Sequence, residues 1–178
     1  VGGAMHGHVQ WHLALAEWQL GLTEQAWQRY ERYAAPETTR NGPVLTLADC
    51  GGFLLRDYLR TGTTRPVSAA VSALSERFNS MLSHPFIALH LAGIQASAGD
   101  MAALEQSKAA IAAKEPSDQA RLSLRLVDAI SQFAGGQYAE AADTLKLISA
   151  DQRIGVGGSR VERVLIDLLE TRAVELAA

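Results

Sequence analysis

The chain has one cysteine, few aromatic residues, no excess of basic charge and no long apolar run, and each shortage removes a class of protein. With Cys50 alone no internal disulfide can form, and a lone thiol suits a reducing, cytoplasmic setting. Aromatics make up 6% of the residues, beside abundant Ala and Leu, which disfavours a large β-sheet and favours helices packed on helices. A net charge of −3 leaves no whole-domain positive field for nucleic-acid phosphates or an anionic membrane surface, so neither is expected as a partner. No stretch approaches the roughly 18 consecutive apolar residues of a membrane span. The start at Val1-Gly2-Gly3-Ala4, without Met, leads to the expectation of a piece of a longer chain.

What is present is a helix–glycine–helix pattern written three times, at Ala14…Gly21…Ala26, Ala92…Gly99…Leu104 and Ala129…Gly136…Ala141. A small residue seven positions before each glycine and an apolar residue five after it are what two antiparallel helices need to meet across a tight turn.

The periodicity predicts helices over about His6–Leu20, Thr23–Ala34, Leu45–Arg60, Pro66–Leu82, Pro85–Ala98, Met101–Lys114, Ser117–Ala134, Tyr138–Ile148 and Ser159 to the end. Thr23, Asp100 and Ser117 are expected as caps, Pro66 as a helix opener, and Ser83-His84-Pro85 as an N-terminal turn. Ser159-Arg160-Val161-Glu162 reads as a capping box. Gly51-Gly52 inside a helix implies close helix contact or a kink. The fold expected is all-α: a right-handed α-α superhelix, a tetratricopeptide-like solenoid of about nine antiparallel helices, forming a single domain over residues 1–178.

Gly136, Tyr138 and Ala141 with Ala129 upstream resemble the small–Gly–Tyr–Ala skeleton of a tetratricopeptide repeat, and Ala14, Gly21, Ala26 and Tyr30 match it less completely. His8-Val9-Gln10-Trp11-His12-Leu13-Ala14-Leu15 followed by Leu20-Gly21 resembles the His-x-x-Trp-His-x-Ala-Leu signature of the tetratricopeptide repeat protein 38-like family. Leu47-Ala48-Asp49 with Leu54-Leu55-Arg56, His90 ahead of Ala98-Gly99-Asp100, and Ile154 with Gly157-Gly158-Ser159 and Arg163 resemble later segments of that family in order. Arg160 replaces a histidine of the family's last motif, Val164 an acidic residue and Leu55 a tryptophan. The resemblance implies the C-terminal portion of a longer helical-repeat protein that binds a partner, and little chemistry, since the family is defined by fold.

His8 and His12, four apart, share a helix face and are the residue types that could ligate a metal. Val9 stands where a metalloprotease helix carries Glu and no further Cys or His cluster completes a zinc pattern, so no metal is assigned. The plainer reading is that these histidines hydrogen-bond buried groups while Trp11 packs. Gly155-Val156-Gly157-Gly158-Ser159 before a helix could present backbone N–H groups to an anion, with Arg153, Arg160 and Arg163 nearby; a packing turn is the alternative.

Cys50 reads as a buried thiol, and Trp11 and Trp18 as a core stripe; Trp27 joins them if the three line a ligand wall. Arg121, Arg125 and Asp128 fall on one helix face as an ion-pair ladder or a binding stripe. Asp49 and Asp57, eight apart, do not make a catalytic carboxylate pair.

The leading expectation is therefore a scaffold that binds a peptide, a protein partner or another part of its own chain in a helical groove. It carries no catalytic residues and no cofactor, and homo-oligomerisation is left open. The alternative is a small-molecule binder or enzyme with a polar pocket lined by His8, His12, Asp49, His90 and Arg163, with Arg56 and Ser159 as further ligand-binding residues. A purely structural or dimerising domain is the third reading.

Overall fold

A computed structural model describes Gly3 and residues 5–178; Val1, Gly2 and Ala4, which carry the unusual start, lie outside the described residues. Every regular element among the described residues is helical, in ten α-helices: α1 (His6–Gln19), α2 (Thr23–Arg29), α3 (Pro43–Thr61), α4 (Ala69–Phe78), α5 (Pro85–Ala98), α6 (Met101–Ala112), α7 (Asp118–Ala134), α8 (Tyr138–Lys146), α9 (Ala150–Gly155) and α10 (Arg160–Ala177). A π-helical turn over Tyr30–Ala34 prolongs α2, closed by the Ala35 N–H on the Tyr30 carbonyl at 2.8 Å. The helix beyond the expected nine is α9, which starts in a capping box between Ser149 and Gln152. No helix is long and apolar enough to cross a membrane among the described residues.

The three glycine turns are one motif. Gly21, Gly99 and Gly136 have φ of 80°, 72° and 78°, the left-handed conformation that a Cβ disfavours. Each closes a helix with the same two bonds, from Leu22 N–H to Glu17 and Gly21 N–H to Trp18 in the first copy, and the equivalent pairs in the others. That is the Schellman pattern, which satisfies the last carbonyls of a helix.

Two expected helix starts differ. Thr23 lies inside α2 rather than capping it, and α2 begins without a side-chain cap. Pro66 does not open α4. The Arg65 N–H donates to the Ser97 carbonyl at 2.8 Å, and the Arg65 guanidinium holds Asp57 at 2.9 Å, so the connector stays extended until Ser68 caps α4.

Helix α3 is the centre of the packing: every residue from Thr46 to Leu59 is buried. It packs against α1, α4, α5 and α10, while α5 lies between α3 and α7, and α7 meets α6 and α8. The approach of α3 to α5 depends on missing side chains. A Cβ on Gly51 would stand 2.4 Å from the His90 carbonyl oxygen, and one on Gly93 would stand 3.1 Å from the Leu55 Cβ. Close contact, not a kink, is thus what the Gly51-Gly52 pair provides, and α3 runs unbroken through it. Leu55, against Gly93, and Leu47, Leu89 and Leu91 on the same two helices are at most 1% exposed, each contributing about 1.5–3 kcal/mol by burial.

The last helix returns to the first half of the chain. The Arg56 guanidinium donates to the Val161 carbonyl at 2.5 Å and Arg172 to the Leu59 carbonyl at 3.1 Å, tying the first turn of α10 and a point near its end to the C-terminal part of α3. The expected ladder on α7 does not form. Arg121 pairs with Asp118, Arg125 caps the Leu147 carbonyl, and Asp128 pairs with Lys108 of α6 because α6 supplies the nearer cation.

Candidate functional site

Helical spacing places Asp49, Gly52 and Arg56 on one face of α3, and α1 lays His8, Trp11 and His12 against it. The His8 Nδ1–H donates to Asp49 Oδ1 at 2.7 Å, and Asn41 Nδ2 donates to Asp49 Oδ2 at 2.9 Å. A carboxylate only accepts, so His8 carries its proton on Nδ1 and turns the Nε2 lone pair outward. Nε2 of His12 lies 3.2 Å from that lone pair and donates to it in the neutral pair. Asp49, His8 and His12 therefore form one chain from a fully buried carboxylate to a partly exposed imidazole.

Burial acts on the two ends of this chain. It pushes the Asp49 carboxyl up to about 6, with the His8 hydrogen bond acting in the opposite direction. His12 is held below the ordinary histidine range, first by desolvation and then by His8. The Trp11 ring stacks on His8 at 5.3 Å with an interplanar angle of 15° and meets His12 edge-on at 4.8 Å, so both imidazoles are held by one indole.

Gly52 lets a third helix reach the same place. A Cβ there would lie 3.1 Å from Arg56 Nη1, 3.3 Å from Trp11 Cζ2 and 3.9 Å from His90 Cδ2. His90 is fully buried, and desolvation pulls its pKa down to about 4. Its Nδ1–H donates to the Phe86 carbonyl at 2.7 Å. That leaves the His90 Nε2 acceptor and the Trp11 Nε1–H donor buried and unpartnered beside Gly52. Each such group costs about 1–3 kcal/mol. The Arg56 guanidinium donates to the Gly52 carbonyl as well as to Val161, and burial brings it down to about 10, so it stays charged at neutral pH.

The terminal motif serves the turn. Glu162 accepts from the Ser159 N–H and Ser159 Oγ accepts from the Glu162 N–H, completing the capping box read in the sequence. The loop is thereby occupied by the protein's own carboxylate, and Gly158 at φ 74° admits the Phe86 ring, which a Cβ would meet at 2.5 Å. Arg163 donates to the Gly158 carbonyl, and Arg153 is taken by Asp167 and Glu170. The Ser159 N–H and the Arg153 and Arg163 guanidiniums are thus engaged within the protein, in a turn that packs on Phe86.

Of the five residues expected around one polar pocket, His8, His12 and Asp49 are joined directly. His90 stands behind Gly52 and bonds its own helix, and Arg163 turns back onto its loop. Asn41 was not legible: it sits in the connector ahead of α3, and nothing in its neighbourhood marks it as a partner for Asp49.

The remaining candidates separate. The Tyr30 hydroxyl donates to Cys50 Sγ at 3.1 Å, and burial pushes that thiol up to about 12. Trp11 is in the core, whereas Trp18 is partly exposed under the Arg60 guanidinium. Asp57 receives Trp27 Nε1 and Arg65, away from Asp49.

A groove of about 780 Å³ opens beside another face of α3, between α2 and the α3–α4 connector. Tyr30, Leu54 and Val71 form its floor, Trp27 and Val67 its sides, and exposed Glu24, Glu31 and Glu37 stand on its rim. Comparison of the chain with protein-family models, with curated proteins and with solved structures finds no match.

Proposed function

We propose that this chain is a tetratricopeptide-like scaffold, the C-terminal portion of a protein similar to the tetratricopeptide repeat protein 38-like family, which holds a basic, partly apolar peptide of a protein partner. The seat is the groove between α2 and the α3–α4 connector. The supporting observation is its combination of an apolar, aromatic floor with a rim of three carboxylates. Arg65, the basic residue in the lining, has its charge matched by Asp57 and its plane laid on the Trp27 ring at 4.6 Å, so the rim presents net negative charge. Apolar side chains of a peptide would bury against Tyr30, Leu54 and Val71 while its Lys or Arg side chains meet Glu24, Glu31 and Glu37.

The local backbone favours this surface. The π-helical turn at Tyr30–Ala34 widens α2 at the groove, and such turns are frequent at functional positions. The Trp27 Nε1–H bond to Asp57 and the 4.4 Å stack of Tyr30 on Phe53 hold the aromatic residues in place before any partner arrives. Repeated Schellman hairpins support the solenoid reading, and the single buried thiol suits a cytoplasmic setting.

Selection of a displayed random-peptide library on the chain tests the proposal. Enriched peptides should combine Lys or Arg with apolar residues, and Glu24→Lys with Glu31→Lys should weaken them by about tenfold or more. Glu140→Lys on α8 should leave binding unchanged. Enrichment of acidic peptides, no enrichment, or affinity indifferent to the charge reversal would overturn it.

A further inference from the structure

We propose that His8 and His12 form a binding site for a divalent transition metal, with Asp49 as the outer carboxylate that sets the His8 tautomer. The two Nε2 atoms face each other at 3.2 Å. Two nitrogen ligands bound to one tetrahedral zinc at about 2.0–2.1 Å lie about 3.3 Å apart, so the separation of the two Nε2 atoms matches that of a pair sharing one ion. The spacing of four residues on a helix supplies the shared face, and the fold adds what spacing alone does not.

That addition is orientation. Asp49 Oδ1 accepts from His8 Nδ1–H at 2.7 Å and is itself held through Oδ2 by Asn41, so His8 presents its Nε2 lone pair on the side of His12. A carboxylate behind a ligating histidine is the usual outer arrangement of a zinc site. Trp11 braces both rings, stacked on His8 and edge-on to His12. Without metal the contact is a hydrogen bond from His12 Nε2–H to His8 Nε2. On binding, the His12 proton moves from Nε2 to Nδ1, both Nε2 lone pairs turn to the ion, and no net proton is released.

No group of three or more His, Cys, Asp or Glu converges to complete an all-protein cage among the described residues. The remaining coordination positions are therefore filled by water or by a donor atom of another molecule. This makes the site exchangeable and unlike a closed structural zinc. Imidazole nitrogen selects zinc, cobalt, nickel or copper over magnesium and calcium. Val9 leaves the site without the Glu of a metalloprotease helix, so the site binds metal and carries no assigned hydrolytic base.

Titration of the purified chain with Co²⁺ and Zn²⁺, followed by visible absorption and calorimetry, tests this inference. One equivalent should bind, with Mg²⁺ failing to compete. His12→Ala, on a partly exposed position, should remove the Co²⁺ spectrum. Asp49→Asn should weaken binding about 10–100-fold, because an amide nitrogen facing His8 Nδ1 favours the wrong tautomer. His84→Ala, at an exposed histidine elsewhere, should change nothing. Helical circular dichroism of each variant separates lost binding from lost folding, and His12→Gln serves if His12→Ala does not fold. Absence of Zn²⁺ and Co²⁺ binding by the intact chain, or unchanged binding in folded His12→Ala or His12→Gln, would overturn the site while leaving the peptide groove untouched.

Discussion

Gly51 on α3 lies directly against the backbone of His90 on α5, so that a methyl group at position 51 would stand 2.4 Å from the His90 carbonyl oxygen and 2.9 Å from its Cα. Backbone cannot rotate aside as a side chain can, so the helices themselves must separate. Gly51→Ala should therefore destabilise the chain by about 3 kcal/mol or more, at the upper end of overpacking. Gly155→Ala, where a Cβ meets nothing within 4 Å, should be neutral or stabilise by about 0.5 kcal/mol through the unfolded chain. Urea unfolding of the two variants measures both, and equal stabilities would show that α3 and α5 do not need this contact.

Gly136 makes a backbone prediction independent of packing, since a Cβ there also meets open space while φ is +78°. Gly136→Val should cost about 1–2 kcal/mol, and Gly136→Asn less, because Asn tolerates the left-handed region. For a chain of this size the valine variant should melt lower by about 2–4 °C per kcal/mol. A wild-type melting temperature for Gly136→Val would exclude the left-handed turn.

His90 gives the protein a defined response to acid. Its folded pKa is about 4 against 6.5 for the free side chain, so between these values the unfolded chain binds the extra proton. Stability contributed by the neutral, buried ring is fully present above about 6.5 and is lost as pH falls toward 4. The shift corresponds to about 3 kcal/mol. His90→Asn, which keeps a donor for the Phe86 carbonyl but does not titrate, should lose less stability than wild type over that window. Chemical denaturation at a series of pH values checks this, and parallel curves for the two proteins would contradict it.

Cys50 should be inert while the chain is folded. Its thiol is buried, accepts from Tyr30 and is pushed up to about 12, so thiolate is scarce at any working pH. An aromatic disulfide reagent should label it only at the rate of unfolding and to completion in denaturant. Fast labelling of the native protein would mean that α2 lifts away from α3.

Local sequence rules reached the elements whose causes are local. The three Schellman turns follow from glycine at a position that must take positive φ, and the capping box at Ser159 from a hydroxyl and a carboxylate three residues apart. The start of α4 was missed for the opposite reason: Pro66 is a good helix opener locally, but Arg65 is held by Ser97 and Asp57 from other elements. In the site, the face shared by His8 and His12 was legible from their spacing, whereas the burial of Asp49 and Arg56 comes from the packing of other helices on α3.

The sequence by itself determined an all-helical chain, its hairpin turns and the two imidazoles on one face, because backbone sterics and helical periodicity act within a few residues. Only the tertiary structure decided that Asn41 and Asp49 orient His8, that Arg56 ties α3 to α10, and that α2 and a connector enclose an acidic-rimmed groove. Those relationships join positions up to 105 residues apart, where the approach of packed helices, rather than any local preference, sets which polar groups meet.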